Sequence, residues 1–251
     1  MISLKTTREI ALMRDAGRIA AQALTLVGEM VKPGITTWEL ARAAQKHITQ
    51  CGATPTFLNY NGFPGSICVS INHEVIHGIP SKKRVLQAGD IVSVDLGATY
   101  KGYVGDTAAT FPVGKISSAA QLLCNTTKAS LYAAIEVAQP GGKVGDISAA
   151  VQQTCEAQEL SLVRDYTGHG VGRLLHEDPI VPNVGRAGHG AKLRPGMVIA
   201  IEPMVNQGRA QTRVLHDKWT VVTRDGKLSA HFEHTIAITH NGPVILTLLE
   251  D

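Results

Sequence analysis

Cysteine is scarce in this chain, with four thiols at positions 51, 68, 124 and 155 and no Cys-x-x-Cys pair in 251 residues. That spacing supplies neither a thiolate zinc finger nor the disulfide framework of a small secreted domain, and reduced thiols in a cytoplasm are expected. An excess of one charge is also missing. Lys and Arg number 24 and Asp and Glu 21, and Ser81-Lys82-Lys83-Arg84 is the one short basic cluster. No nucleic-acid specificity is expected from so mild a balance, and the cluster reads as a solvated loop. No apolar run approaches the roughly 20 residues of a membrane span. Lys5, Arg8, Glu9, Arg14 and Asp15 interrupt the stretch where a signal peptide would carry its apolar core. The chain has no Gly-x-Ser-x-Gly elbow, and "GHGVG" and "GRAGHG" lack the G-x-G-x-x-G spacing of a dinucleotide loop. The second of these reads as a mobile surface loop, with His189 a bystander. Cys68, within an apolar run, reads as packing rather than as a nucleophile.

What the chain does contain is an ordered alternation of helix and strand signals. Thr6-Thr7-Arg8-Glu9 fits a capping box, and Ile10, Met13, Gly17, Ala20, Leu24 and Val27 then recur at helical steps until Pro33-Gly34. Thr36-Thr37-Trp38-Glu39 opens a second helix towards Gly52. A loop rich in Gly, Pro and Asn, from Asn59 to Gly65, precedes the β-branched run Ile67-Cys68-Val69-Ser70-Ile71. Two further strands follow in "GDIVSVDLGATYKGYVGDTAATF", each expected to bring an aspartate, Asp95 or Asp106, to its end. Helices are expected from about Ser118 to Gln139 and from about Gly145 to Glu159.

The chain also repeats itself weakly. Pro33-Gly34 followed by Glu39-Leu40 matches Pro140-Gly141 followed by Asp146-Ile147, and "LQAGDIVSVDL" matches "LRPGMVIAIEP", both at a separation of 107 positions. One domain over 1–251 is expected, built from similar halves of roughly 1–112 and 113–251 that close a core only against each other. The repeat sets Asp95 opposite Glu202. Asp106 and Glu233 form a second pair of strand-borne acids.

Carboxylates beside core residues are expensive to bury unpaired. Few cations lie near these four in sequence, so a divalent ion is the economical neutraliser of their mutual repulsion. "TGHGVGRLLHEDP" adds His169 between two glycines and His176 beyond it. Four carboxylates and an imidazole favour Mn²⁺, Fe²⁺ or Co²⁺ over a thiolate-loving site, and five ligands suit two ions better than one.

"CVSINHEVIHGIP", "DLGATYKGYVGDTAATF", "TGHGVGRLLHEDP", "IEPM" and "FEHT", in this order, closely resemble the motifs of the type I methionine aminopeptidases. The resemblance implies the α+β pita-bread fold, with two pseudo-symmetric halves whose antiparallel sheet is covered by helices. It places metal ligands at Asp95, Asp106, His169, Glu202 and Glu233, with Asp106 and Glu233 bridging two divalent ions. A bridging hydroxide would attack the first peptide carbonyl, the substrate's α-amino group would ligate one ion, and Glu202 would shuttle the proton. His176 would steady the carbonyl oxygen and His77 would hydrogen-bond the scissile amide. A methionine pocket would fall on Phe57, Tyr60, Phe63, Cys68, His77 and Trp219. At Phe63 and Leu175 many relatives carry tyrosine and an aromatic, respectively.

By the same resemblance, the short bacterial form of the enzyme is expected. It would act as a monomer on nascent polypeptide N-termini in the cytoplasm, with contact to the ribosome, and would prefer a small second residue. Two rivals share the fold. An X-Pro peptidase usually carries a sizeable N-terminal domain before the catalytic repeat, and a metal-free binding relative would not be expected to keep all five ligands.

Overall fold

A computed structural model describes residues 2–249. Local chemistry sets the first two helices. Thr6 caps α1 (Thr7–Met30): Glu9 N–H donates to its hydroxyl, while Thr6 N–H donates to the Glu9 carboxylate at 2.9 Å. Thr36 and Glu39 make the same reciprocal pair at α2 (Thr37–Gln50). The strands β1 (Thr54–Pro55), β2 (Cys68–Ile71), β3 (Glu74–Ile76), β4 (Ile91–Tyr100) and β5 (Tyr103–Pro112) follow. Lys101 and Gly102 turn β4 into β5, both at positive φ, the conformation a two-residue hairpin demands.

The second half opens with α3 (Ser118–Val137) and α4 (Val144–Glu156), followed by β6 (Ser161–Leu162), β7 (Gly168–Gly170), β8 (Glu177–Val181), β9 (Val198–Ile201) and β10 (Met204–Asn206). Then come β11 (Thr212–Val214), β12 (Val221–Thr223), β13 (Ser229–His231), β14 (Glu233–Thr239) and β15 (Gly242–Ile245). The starts of α2 and α4, and of β4 and β9, stand 107 positions apart, the separation at which the sequence repeats. "GRAGHG" is not a free loop. Gly188 N–H donates to Asp146 Oδ1, and the His189 carbonyl receives Gly145 N–H, which fastens the segment to the start of α4.

Nine strands form one antiparallel sheet in the path β1-β4-β5-β14-β9-β7-β8, with β2 added on β4 and β15 on β14. Side chains alternate across it. Val92, Val94, Leu96 and Ala98 of β4 pack with Ile19, Ala23, Leu40 and Ile48 of α1 and α2. Ile199, Ile201, Ile236 and Ile238 pack with Leu123, Leu131, Ile147 and Val151 of α3 and α4. The helices therefore cover one face and leave the other to the site. Backbone contact between α1 and the sheet is direct, because a methyl at Gly105 would overlap the backbone of Gly17.

Neither aspartate ends its strand: Asp106 is the fourth residue of β5, which runs on to Pro112, and Asp95 lies within β4. β4 runs five residues beyond Asp95, to Tyr100, and this acid sits mid-strand. Alternation explains why this is tolerated: Val94 and Leu96 face the helices, while Asp95 faces the other way, opposite Ala108 and Cys68.

Candidate metal centre

The register of three strands assembles the acids. Asp95 of β4 and Glu233 of β14 are both partners of Ala108 on β5, and Asp106 is the partner of Gly97. Small residues at 97 and 108 leave the space between the carboxylates open. Glu202 follows the last residue of β9, on the face set by Val198 and Ala200. The Thr235 side chain ties β14 to the β5 backbone, since Asp106 N–H donates to the Thr235 hydroxyl at 3.1 Å, which donates to the Asp106 carbonyl at 2.7 Å.

His169 projects from β7 between two glycines that serve the neighbouring strands. A side chain at Gly168 would strike the Ala200 carbonyl, and one at Gly170 the Asp178 carbonyl. Its Nδ1 lies 2.9 Å from the Gly170 carbonyl oxygen, which can only accept, so Nδ1 carries the proton. Nε2 is left with its lone pair, 3.4 Å from Glu202 Oε1 and 3.8 Å from Asp106 Oδ2. Burial holds the imidazole pKa down to about 4, so it is neutral and ready to ligate.

A divalent cation fits these residues. One ligand atom each from Asp106, His169 and Glu233 lie within 4.8 Å of one another. Asp95 Oδ1, Asp106 Oδ1 and Glu233 Oε1 are buried with no hydrogen-bond partner. Burial, then mutual repulsion, pushes the Asp106 and Glu233 carboxyls far above the carboxylate range. Burial also lifts Asp95 to about 7 and Glu202 to about 8. Only His169 and His231 come within ion-pair distance of any of the four acids among the described residues; no lysine or arginine does. Oxygen-rich buried sites of this kind are neutralised by metal.

The acids line a cavity of about 180 Å³ that also collects Phe57, Tyr60, Phe63, Cys68, His77, His176 and Trp219, every pocket residue expected from the sequence. Asn59 and Asn61 adopt positive φ in the turn that presents Tyr60 and Phe63. Phe63 and Trp219 meet edge to face at 5.2 Å between ring centroids. His176 Nδ1 lies 2.8 Å from the Tyr60 hydroxyl, and its ring packs 4.2 Å from that of His169. His77 also sits at positive φ, with its imidazole held edge-on by Tyr166 and Trp219 and its pKa lowered to about 4 by burial, then by His231 and His176.

Leu175 lines the cavity too. Sequence reasoning missed His231, Asn61 and Tyr166. His231 Nε2 lies 3.6 Å from Glu202 Oε2 in the buried layer behind the acids. Its signal was the His-x-Glu spacing with Glu233 in "AHFEH". Tyr166 and Asn61 had no local signal.

The model of metallopeptidase family M24 matches residues 11–240. The chain is 53% identical over 250 residues to the methionine aminopeptidase of Clostridium perfringens, covering 100% of both. To methionine aminopeptidase 1 of Bacillus subtilis it is 53% identical over 247 residues, or 98% of this chain and 99% of that one. The crystal structure of methionine aminopeptidase from Thermotoga maritima matches with a TM-score of 0.98 at 46% identity, covering 99% of this chain and 100% of that one. Prolidase from Pyrococcus furiosus shares the fold less closely, with a TM-score of 0.77 at 25% identity, and 99% of this chain covers 66% of that chain. Fold, acid cluster and full-length likeness agree: the chain belongs to metallopeptidase family M24 and, within it, to the methionine aminopeptidases.

Proposed function

We propose that this aminopeptidase holds two divalent ions, Mn²⁺, Fe²⁺ or Co²⁺, on Asp95, Asp106, His169, Glu202 and Glu233, and removes methionine from the N-termini of nascent proteins and peptides. The observation that carries the reading is the set of buried, unpartnered carboxylate oxygens facing one cavity. Bound there, divalent ions supply Lewis acidity at the first carbonyl and acidify water.

The chain's own residues do the rest. Glu202, at the cavity wall, accepts the proton of the attacking water and passes it to the departing amine. With the Tyr60 hydroxyl engaging Nδ1, His176 keeps its other ring nitrogen free to donate to the carbonyl oxygen as that atom gains charge. His77, neutral and fixed by two aromatic edges, hydrogen-bonds the scissile amide. Phe57, Tyr60, Phe63, Cys68 and Trp219 enclose an apolar slot in which a flexible thioether finds both space and aromatic edges.

A single domain over 1–251, with halves of roughly 1–112 and 113–251, working as a monomer in the cytoplasm, in contact with the ribosome and on substrates with a small second residue, completes the proposal. Purified protein reconstituted with Mn²⁺ or Co²⁺ and offered a Met-Ala-Ser peptide tests it. Methionine is released and a Gly-Pro peptide is left intact; the opposite preference would assign the site to X-Pro hydrolysis.

A further inference from the structure

The hairpin loop between β7 and β8 carries His169 on one side and His176 on the other, so its shape decides whether the two imidazoles face the same cavity. Within the loop Gly172 N–H donates to the Leu174 carbonyl at 3.1 Å, and the Gly172 carbonyl accepts from Val104 N–H at 2.9 Å. Leu174 N–H reaches Glu177 Oε1 at 3.3 Å, and a methyl at Gly172 would overlap the Glu177 carboxylate, so the loop is folded over this one acid. The charge that holds the acid in place comes from the far end of the chain. Lys5 Nζ donates to Glu177 Oε2 at 2.6 Å, and the lysine side chain is only 5% exposed. Its backbone is fixed in turn, because Lys5 N–H donates to the Gly196 carbonyl at 2.7 Å.

A second fastening leaves the same short segment. Tyr103 O–H donates to Glu9 Oε1 at 2.8 Å, and Arg173 Nη2 donates to the Tyr103 oxygen at 2.7 Å, with its guanidinium 4.6 Å from the Tyr103 ring centroid. Residues 5 and 9 thus reach the loop at Glu177 and, through Tyr103, at Arg173. His176 lies between those two points and adjoins Glu177 directly.

We infer that Lys5 and Glu177 are positioning residues, a largely buried ion pair through which the N-terminal segment sets the orientation of His176 towards Tyr60 and the cavity. A lysine almost fully removed from water is rarely kept for stability alone, since a buried pair contributes little beyond what apolar residues of the same size would. What it does supply is a fixed distance and direction. The kinetic part of the inference rests on the proposed catalytic role of His176; the geometric part does not.

The test uses full-length protein loaded with Zn²⁺ and labelled with ¹⁵N-histidine, the His176 ring signals being those missing from His176→Ala. Lys5→Met is expected to displace the His176 signals and leave those of His189 and His234 in place, while Lys5→Arg leaves all of them unmoved. In parallel, with the Mn²⁺ protein and Met-Ala-Ser, Lys5→Met is expected to lower kcat at least tenfold with KM within twofold, and Lys5→Arg to recover to within threefold. In a His176→Ala background Lys5→Met is expected to cause no further loss. Should Lys5→Met alone fold poorly, Lys5→Met combined with Glu177→Gln removes both charges and is read the same way. Unmoved His176 signals, or an equal loss of kcat with and without His176, overturn the inference. If His176→Ala stays within tenfold of the parent, the catalytic role of His176 falls, and the ring signals alone decide whether the pair positions it.

Discussion

Asp95 and Glu233 share one register partner, Ala108, which stands between them on β5. Two acids facing the same methyl from opposite sides cannot both ionise cheaply without a cation. That relationship makes the protein's stability depend on metal and on pH together.

Without metal, the folded carboxyls titrate above their unfolded values, Asp95 near 7 and Glu202 near 8. Groups with raised folded pKa favour folding at pH below the ordinary carboxylate range, and that contribution is lost as pH rises through the folded values. Chelated protein is expected to lose thermal stability steadily between about pH 5 and pH 8, while the gain on adding Mn²⁺ grows over the same interval. Scanning calorimetry with and without chelator measures both; a metal-induced gain that is constant with pH would contradict this account.

Removing one of the buried carboxyls should act in opposite directions on stability and on metal binding. Asp106→Asn is expected to stabilise the chelated protein by about 2 kcal/mol while abolishing peptidase activity and lowering bound metal. Urea titration and elemental analysis give the two readings, and a destabilised chelated variant would count against the repulsion argument.

Glu202→Gln and His176→Ala are each expected to lower kcat by at least about 100-fold while the protein still folds. Glu202 Oε1 lies 3.4 Å from His169 Nε2, and His176 reaches no acid within ion-pair distance among the described residues. Retention of activity within tenfold in either variant would remove that residue from its role.

The aromatic wall makes a different kind of prediction. Trp219→Ala strips the edge-to-face partner of Phe63 and one support of His77, and should raise KM for Met-Ala-Ser about tenfold, with a smaller effect on kcat. Steady-state kinetics at saturating and limiting peptide separate the two terms. An unchanged KM would place methionine elsewhere in the cavity.

Gly105→Ala probes the scaffold behind the acids. The added methyl meets the Gly17 backbone, which cannot give way as a side-chain end could, so a loss of about 3 kcal/mol or more is expected in the unfolding free energy from urea titration. Gly52→Ala, where a side chain meets nothing within 4 Å but φ is +73°, should cost about 1 kcal/mol, from backbone strain alone.

Much of this was legible in the residues themselves. Both N-terminal capping boxes lie within four consecutive residues and formed as read. The four acids expected to hold metal were named from their places on apolar strands and from the repeat, His169 from its place between two glycines, and all five line one cavity. The expectation that Asp95 ends its strand failed because a run of apolar residues marks only the helix-facing half of β4, and the site-facing half, Ser93, Asp95 and Gly97, carries no apolar signal.

The sequence by itself determined the helix starts, the alternation that points each acid away from the helices, and the family likeness, because each depends on neighbours a few residues away or on motifs read in order. Only the tertiary structure decided that Tyr60 meets His176 across 116 positions and Lys5 meets Glu177 across 172, and that His231 backs Glu202. Such pairs are fixed by strand register and by where α1 can approach the sheet. The shifted pKa values arise at the same level, since desolvation exists only once the chain has closed over the acids.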